Sequence, residues 1–245
     1  MENALLVGLS AQLALRRSMD VVANNVANVS TAAYKRENPL FEAVLAGIES
    51  GDRTAGVSEV AFVRDFGLMR DLNPGPLQQT GGPLDLAIDG SAYFAVRTPS
   101  GERYTRDGHF KMDTTGRLVT MAGDPVMGEG GEIVLPANAT DIRIAADGTV
   151  SSGQGQAGKV RLVAFQNERL LKKEGSNLYA ADEAPAAASG ARLAQGMLER
   201  SNVEGVVEIT RMIEIMRAYQ SVSEAMSQTE DALKRAVAKL GEVKA

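Results

Sequence analysis

The chain has 245 residues, 26 basic against 31 acidic side chains, a net charge of −5, one histidine, and neither cysteine nor tryptophan. That length supports one or two domains with a real core. The missing cysteines exclude disulfides, thiolate catalysis and Cys-ligated metals. One histidine excludes a histidine metal cluster within the chain, and an aromatic content of 4% is thin for stacking on bases or sugars.

Basic residues adjoin only in pairs (Arg16-Arg17, Lys35-Arg36, Lys172-Lys173, Lys234-Arg235), so no electrostatic footprint for nucleic acid is expected. The N-terminus has no positive segment before its apolar stretch. The uncharged run Asn3 to Leu15 is 13 residues, against the roughly 20 needed to span a bilayer. The expectation is a chain with no direct membrane span, exported, if at all, without a cleaved signal.

Glycine and proline divide the sequence. Of 25 glycines, 19 lie between Gly47 and Gly158, while residues 9–46 have none and residues 206–240 have neither glycine nor proline. Since both residues punctuate local structure, helices are expected at the two ends and short strands with turns between.

The first helix is predicted from about residue 4 to about 29, within an N-terminal element of residues 1–33. Leu15, Met19, Val22, Val26 and Val29 recur at steps of four and three, an a/d seam. Leu6, Leu9 and Leu13 form a neighbouring stripe. Asn24, Asn25 and Asn28 near its end read equally well as interhelical hydrogen-bonding groups or as a solvated last turn. Residues 34–80 read as an extended connector.

A central β domain is expected over residues 81–180. Leu84, Leu86 and Ile88 alternate with Asp85, Ala87 and Asp89 as in a half-buried strand. Three hairpins follow, turning at Pro99-Ser100-Gly101, Thr114-Thr115-Gly116 and Ala146-Asp147-Gly148. Lys159–Phe165 is a further strand, and residues 181–199 a return connector.

The last helix is predicted over about 202–240, within a C-terminal element of residues 200–245, with Ser201 and Glu204 as a capping box. At 1.5 Å per residue it would be roughly 57 Å long. Ile209, Met212, Met216, Tyr219, Ser223, Met226, Glu230, Leu233, Val237 and Leu240 keep a strict three-four alternation, with Ile215, Val222 and Ala236 widening the face. The fold class is therefore mixed α and β: long terminal helices pairing as a coiled-coil-like unit, and a central, mainly antiparallel β domain.

Motifs for chemistry mostly fail. Gly153-Gln154-Gly155-Gln156-Ala157-Gly158 matches the dinucleotide glycine pattern, but a strand follows where a helix is required, so it reads as a hairpin loop. Asp85 and Asp89 share a strand face about 13 Å apart at 3.3 Å per residue, beyond the roughly 5–9.5 Å of glycosidase carboxylates. His109 beside Asp107 could act as a general base, but no nucleophile elbow accompanies it. No catalytic, cofactor or metal residue is expected.

Two heptad seams at opposite ends of one chain most simply bury each other, or complete their burial against neighbouring copies. The methionines suit either, since Met fills irregular contacts. The candidate interface is Leu15, Met19, Val22, Asn24, Asn25, Val26, Asn28, Ile209, Met212, Met216, Tyr219, Met226 and Leu233.

The segment Ala23-Asn24-Asn25-Val26-Ala27-Asn28-Val29-Ser30-Thr31, followed by Tyr34-Lys35, resembles the N-terminal signature of the flagellar rod and hook proteins. Ser201-Asn202-Val203-Glu204 with Arg217-Ala218-Tyr219 is similar to their C-terminal signature. Pro83 to Gly90 and Tyr104-Thr105-Arg106-Asp107-Gly108 resemble their central β motifs. The resemblance covers nearly the whole chain, and the Glu208 to Glu214 run is most similar to a proximal-rod member. One departure is Ala33, where the family usually has Gly; alanine disfavours positive φ, so a different chain exit is expected there.

The resemblance implies a structural, non-enzymatic subunit of the basal-body rod. Its partners would be copies of itself, neighbouring rod proteins and the flagellar type III export apparatus. It would sit in the periplasm-spanning rod, with its terminal helices ordered by burial between neighbours. The alternatives are a distal-rod or hook-type axial protein, or a secreted sugar-binding or hydrolytic β domain on a helical stalk.

Overall fold

The computed structural model describes residues 2–48, 58–136, 139 and 141–242. The chain forms two units. One comprises Met1–Ala27, Glu37–Asp71 and Glu204–Ala245, the other Asn28–Arg36 and Leu72–Val203.

The first unit holds helix α1, Glu2–Ala27, a long β-ribbon, and helix α2, Gly205–Glu242. The Gly-free stretch 9–46 covers most of α1 and then runs on into the ribbon, while residues 206–240 lie wholly within α2. The two helices pack antiparallel. A Cβ on Gly8 would meet Met226 Cγ at 2.8 Å, while Asn25 Nδ2 lies 3.2 Å from Glu208 Oε2. These contacts are seventeen residues apart on α1 and eighteen on α2, so the helices stay in step.

On α2 the shielded row is Glu208, Met212, Ile215, Tyr219, Val222, Met226, Thr229, Leu233 and Ala236. It keeps the expected four-three alternation but is turned by one position from the predicted seam. Met212, Tyr219, Met226 and Leu233 lie on it, whereas Ile209 and Met216 are 50% and 44% exposed. The turn explains the two polar breaks in the predicted row, because Ser223 and Glu230 both face solvent. The Leu240 side chain lies outside the described residues.

The predicted capping box is displaced. Ser201 Oγ accepts from the Val203 N–H at 3.2 Å, a turn two residues long, and α2 begins only at Gly205. The Glu204 carbonyl accepts the first helical bond, from Glu208 N–H at 3.0 Å.

Residues 34–80, expected as an extended connector, contain the ribbon instead. Strand β1, Glu37–Ile48, pairs antiparallel with β2, Ser58–Arg70. Its register shifts between Leu40 and Phe41, which face Gly67 and Asp65, so Phe66 is left between the pairs as a bulge.

In the second unit every strand pairing is antiparallel. The largest sheet has six strands in the order 172–173, 179–180, 101–105, 93–98, 162–164 and 186–187. Tyr93–Thr98 is its central strand and is covered on both faces. Phe94 and Val96 enter one core with Leu86, Leu118 and Ile133, while Tyr93 and Ala95 enter a second with Tyr104 and Tyr179. A strand buried on both faces reads as a continuous apolar run rather than an alternation.

All three predicted hairpins form: 93–98 with 101–105, 110–112 with 118–120, and 143–144 with 149–152. The glycine pattern lies in a hairpin too, Gly155–Lys159 pairing back on Thr149–Ser152. The expected strand Lys159–Phe165 is broken, with Leu162–Ala164 moving to the six-stranded sheet. The return connector, expected over 181–199, carries three strands, the first of which, Ala186–Ala187, is an edge of the six-stranded sheet. Arg192–Gln195 pairs with Leu86–Asp89, and Met197–Glu199 with Leu77–Gln79.

Candidate assembly and junction sites

Within the first unit, one side chain ties three elements together. Asn25, fully buried near the end of α1, uses its amide as a strand would. Its Oδ1 accepts from Glu37 N–H at 3.0 Å, and its Nδ2 donates to Glu37 C=O at 2.8 Å. The same Nδ2 group reaches Glu208 Oε2 on α2, whose side chain is also fully buried. Arg211 adds a second tie, with Nη1 3.2 Å from Asn38 Oδ1 and 3.7 Å from Glu208 Oε1. The helix pair and the ribbon therefore share one polar lock in a mostly apolar setting, and such a lock favours a single register.

The two readings of the asparagines separate here. Asn25 bonds between helices, Asn24 is exposed, and Asn28 acts locally, its Oδ1 accepting from Thr31 Oγ1 at 3.1 Å just after the helix stops. Val22 is buried beside Asn25, and Leu15, Met19 and Val26 are half-buried. A hollow of about 350 Å³ in this unit is lined by Ser18, Val22, Asn38, Pro39, Arg211 and Ile215.

In the second unit the segments just beyond the helices are held by buried charge. Glu199 is 2% exposed. Its Oε1 accepts from Lys35 Nζ at 2.6 Å and from Gly75 N–H at 3.1 Å, and its Oε2 from Arg106 Nε at 2.9 Å. Lys35 also donates to Asn73 C=O at 2.9 Å, and Arg106 Nη1 to Gly90 and Ala92 C=O, both at 3.0 Å.

Burial alone would raise the Glu199 carboxyl. Arg106, Lys35 and the two Oε1 hydrogen bonds outweigh it and hold the carboxyl below its ordinary value. Burial dominates at Lys35 and lowers its ammonium despite Glu199. Gly75 must be glycine, since a Cβ there would stand 2.0 Å from Arg200 C=O.

The backbone completes the junction. Ala33 N–H donates to Glu199 C=O at 2.8 Å, and Asn202 N–H to Tyr34 C=O at 3.3 Å. Asn202 Oδ1 accepts from Arg36 N–H at 2.7 Å. Ala33 has φ +54°, so the left-handed exit is kept with alanine in place of glycine rather than replaced by another path.

Glu199, Glu208 and Arg106 are not among the expected interface residues. Lys35 and Arg106 stood inside the quoted motifs, but their partner Glu199 is 164 residues from Lys35, and no local pattern links them. Among the described residues no cluster of three His, Asp or Glu side chains could hold a metal. His109 meets Asp107 through its backbone N–H at 3.0 Å, and its ring lies 3.9 Å from Asp85. Burial raises the Asp107 carboxyl. No helix among the described residues is long and apolar enough to cross a membrane.

Two long antiparallel terminal helices, with an antiparallel β module between them in sequence, are the architecture of this chain. Residues 5–35 match the family model for flagella basal body rod proteins, and residues 87–152 that of the flagellar hook protein FlgE/F/G D1 domain. Residues 194–239 match the flagellar basal body rod FlgEFG protein C-terminal model.

The chain is 43% identical to the flagellar basal-body rod protein FlgF of Caulobacter vibrioides, over 99% of this chain and 100% of that one. It is 34% identical to FlgF of Mesorhizobium japonicum, over 98% and 99% of the two chains. It is also 34% identical to the rod protein FlgG of Bacillus subtilis, over 97% and 98%. The chain belongs to the flagellar basal-body rod protein family, FlgF and FlgG.

Proposed function

We propose that this chain is a structural subunit of the bacterial flagellar basal-body rod, in its proximal part. It joins copies of itself and neighbouring rod proteins into the axial shaft that transmits torque. The observation that carries this is the 43% identity to a FlgF protein along essentially the whole of both chains. The chain works as a mechanical part and not as an enzyme. It reaches the periplasm-spanning basal body through the flagellar type III export apparatus, uncleaved.

The terminal helices pair in a coiled-coil-like manner and, with the ribbon, form the assembly unit. Leu15, Met19, Val22, Asn25, Val26, Met212, Tyr219, Met226 and Leu233 set the geometry of the helix pair. Asn24, Ile209 and Met216 are exposed toward neighbours, and Asn28 ends the helix.

Deletion of the coding sequence, with complementation and imaging of isolated basal bodies, tests the reading. Cells without the chain should not swim and should carry basal bodies lacking an assembled rod. Motile cells with intact rods would overturn it.

A further inference from the structure

The first unit leaves two apolar stripes uncovered. On α1, Leu6, Leu9 and Leu13 are 52%, 47% and 59% exposed, and on α2, Ile209, Ile213 and Met216 are 50%, 47% and 44% exposed. The stripes sit toward the N-terminal ends of two antiparallel helices, so within one copy they do not face each other. Gly8 of α1 lies against Met226, so the position across from Leu9 is near residue 225. Ile213 is about twelve residues away, roughly 18 Å along the helix.

The spacings of the stripes are complementary. Read forward, Leu6, Leu9 and Leu13 are separated by three and then four residues. Read backward, Met216, Ile213 and Ile209 are separated by three and then four. Two helices running in opposite directions can thus set Leu6 on Met216, Leu9 on Ile213 and Leu13 on Ile209. Run parallel, the spacings fall out of step. The antiparallel register also continues correctly: one step beyond Leu13 and Ile209 it brings exposed Arg16 beside exposed Val206, within one turn of exposed Glu204. That end is apolar against an alkyl stem, with opposite charges adjoining. No charged residue lies between Leu5 and Leu15 to oppose the contact.

We propose that the α1 stripe of one copy docks antiparallel on the α2 stripe of a second copy of this chain, in that register. This rests on the reading of the chain as a rod subunit and names the surface on which copies meet. Each copy offers one stripe of each kind at different places on the same unit. The contact is therefore heterologous and repeats from copy to copy instead of closing as a dimer.

The cysteine-free sequence makes the test direct. The full chain carrying Leu9→Cys with Ile213→Cys is oxidised at high concentration and run on a non-reducing gel. A disulfide needs Cα atoms within about 7 Å, so the two cysteines of one copy cannot reach each other in the folded chain. The expected result is a ladder of dimers, trimers and higher species. A control pairing Leu9→Cys with the exposed but out-of-register Val237→Cys should stay largely monomeric.

No ladder, or equal ladders from both pairs, overturns the proposal. So does cross-linking of Ile213→Cys in cells to a different rod protein in place of Leu9→Cys copies. Incorporation of the unmodified chain into rods is followed in parallel. A chain that enters rods without the 9–213 cross-link leaves the rod reading intact and removes only this register. A chain absent from rods removes the rod reading.

Discussion

Replacing Glu199 by glutamine strikes the junction of the β unit at the group on which it converges. The side chain keeps its size, but Lys35 and Arg106 lose their shared negative charge while both stay buried, at 3% and 6% exposure. The new NH2 also meets a guanidinium donor or an ammonium donor, whichever way the amide turns. Removing one partner from a buried ion pair costs about 3–5 kcal/mol. With two cations dependent on one carboxylate, Glu199→Gln belongs at the upper end of that range.

The assay is built into the sequence. There is no tryptophan, and of five tyrosines Tyr34, Tyr93, Tyr104 and Tyr179 are buried in this unit, so tyrosine fluorescence follows its unfolding. With a slope of about 2 kcal/mol per M urea, the midpoint should fall by roughly 2 M. Lys35→Met should also destabilise. The double variant should be better than the sum of the singles by about 1–3 kcal/mol, because the second change removes a charge that the first left buried.

Acid provides an independent check. The Glu199 carboxyl is depressed when folded, so the unfolded chain binds its proton more readily. The stability it contributes is complete above the ordinary value of 4.5 and is lost as pH falls through the lower folded value. Glu199→Gln should flatten that part of the acid limb. A midpoint shift below about 0.5 M urea, equivalent to roughly 1 kcal/mol, with an unchanged acid limb, would refute the buried-charge account.

The outer frame of the fold was legible in the sequence, and the joins were not. Gly-free heptad stretches gave both helices, and Pro-Ser-Gly, Thr-Thr-Gly and Ala-Asp-Gly turns gave the hairpins, because these signals are local. The ribbon was missed because little of its described apolar surface is covered. Leu40, Phe41, Val44 and Leu45 are each at least 36% exposed, and a strand that buries no consistent face has no reason to alternate. The pairings of Leu86–Asp89 with Arg192–Gln195 and of Leu77–Gln79 with Met197–Glu199 link residues more than 100 positions apart. The phase of the α2 seam was one position off because Glu208, a charged residue, occupies its first buried site. Asn25, 183 residues away, and Arg211 one turn on explain a carboxylate there.

Two further substitutions probe the ends of the helices. Ala33→Gly should stabilise by about 1 kcal/mol: relief of the left-handed strain, about 1–2 kcal/mol for a residue with a Cβ, exceeds the added unfolded-state entropy, about 0.4–1 kcal/mol. A tyrosine-fluorescence melting temperature that is unchanged or lower would show that φ +54° carries no strain worth relieving. Asn25→Asp keeps the shape of the helix lock but removes both amide donors and sets a second carboxylate about where Nδ2 now lies, 3.2 Å from Glu208 Oε2. The expected loss at pH 7 is about 3–4 kcal/mol, from weakened hydrogen bonds at about 1–3 kcal/mol plus like-charge repulsion. The loss should shrink as pH falls and one carboxyl takes up a proton, since the protonated acid can donate to the other. Asn25→Ala, which adds no charge, should cost less at pH 7 and show no such recovery. Helix melting at 222 nm separates the cases: an aspartate variant that melts like the parent at pH 7 would mean that Asn25 and Glu208 do not meet.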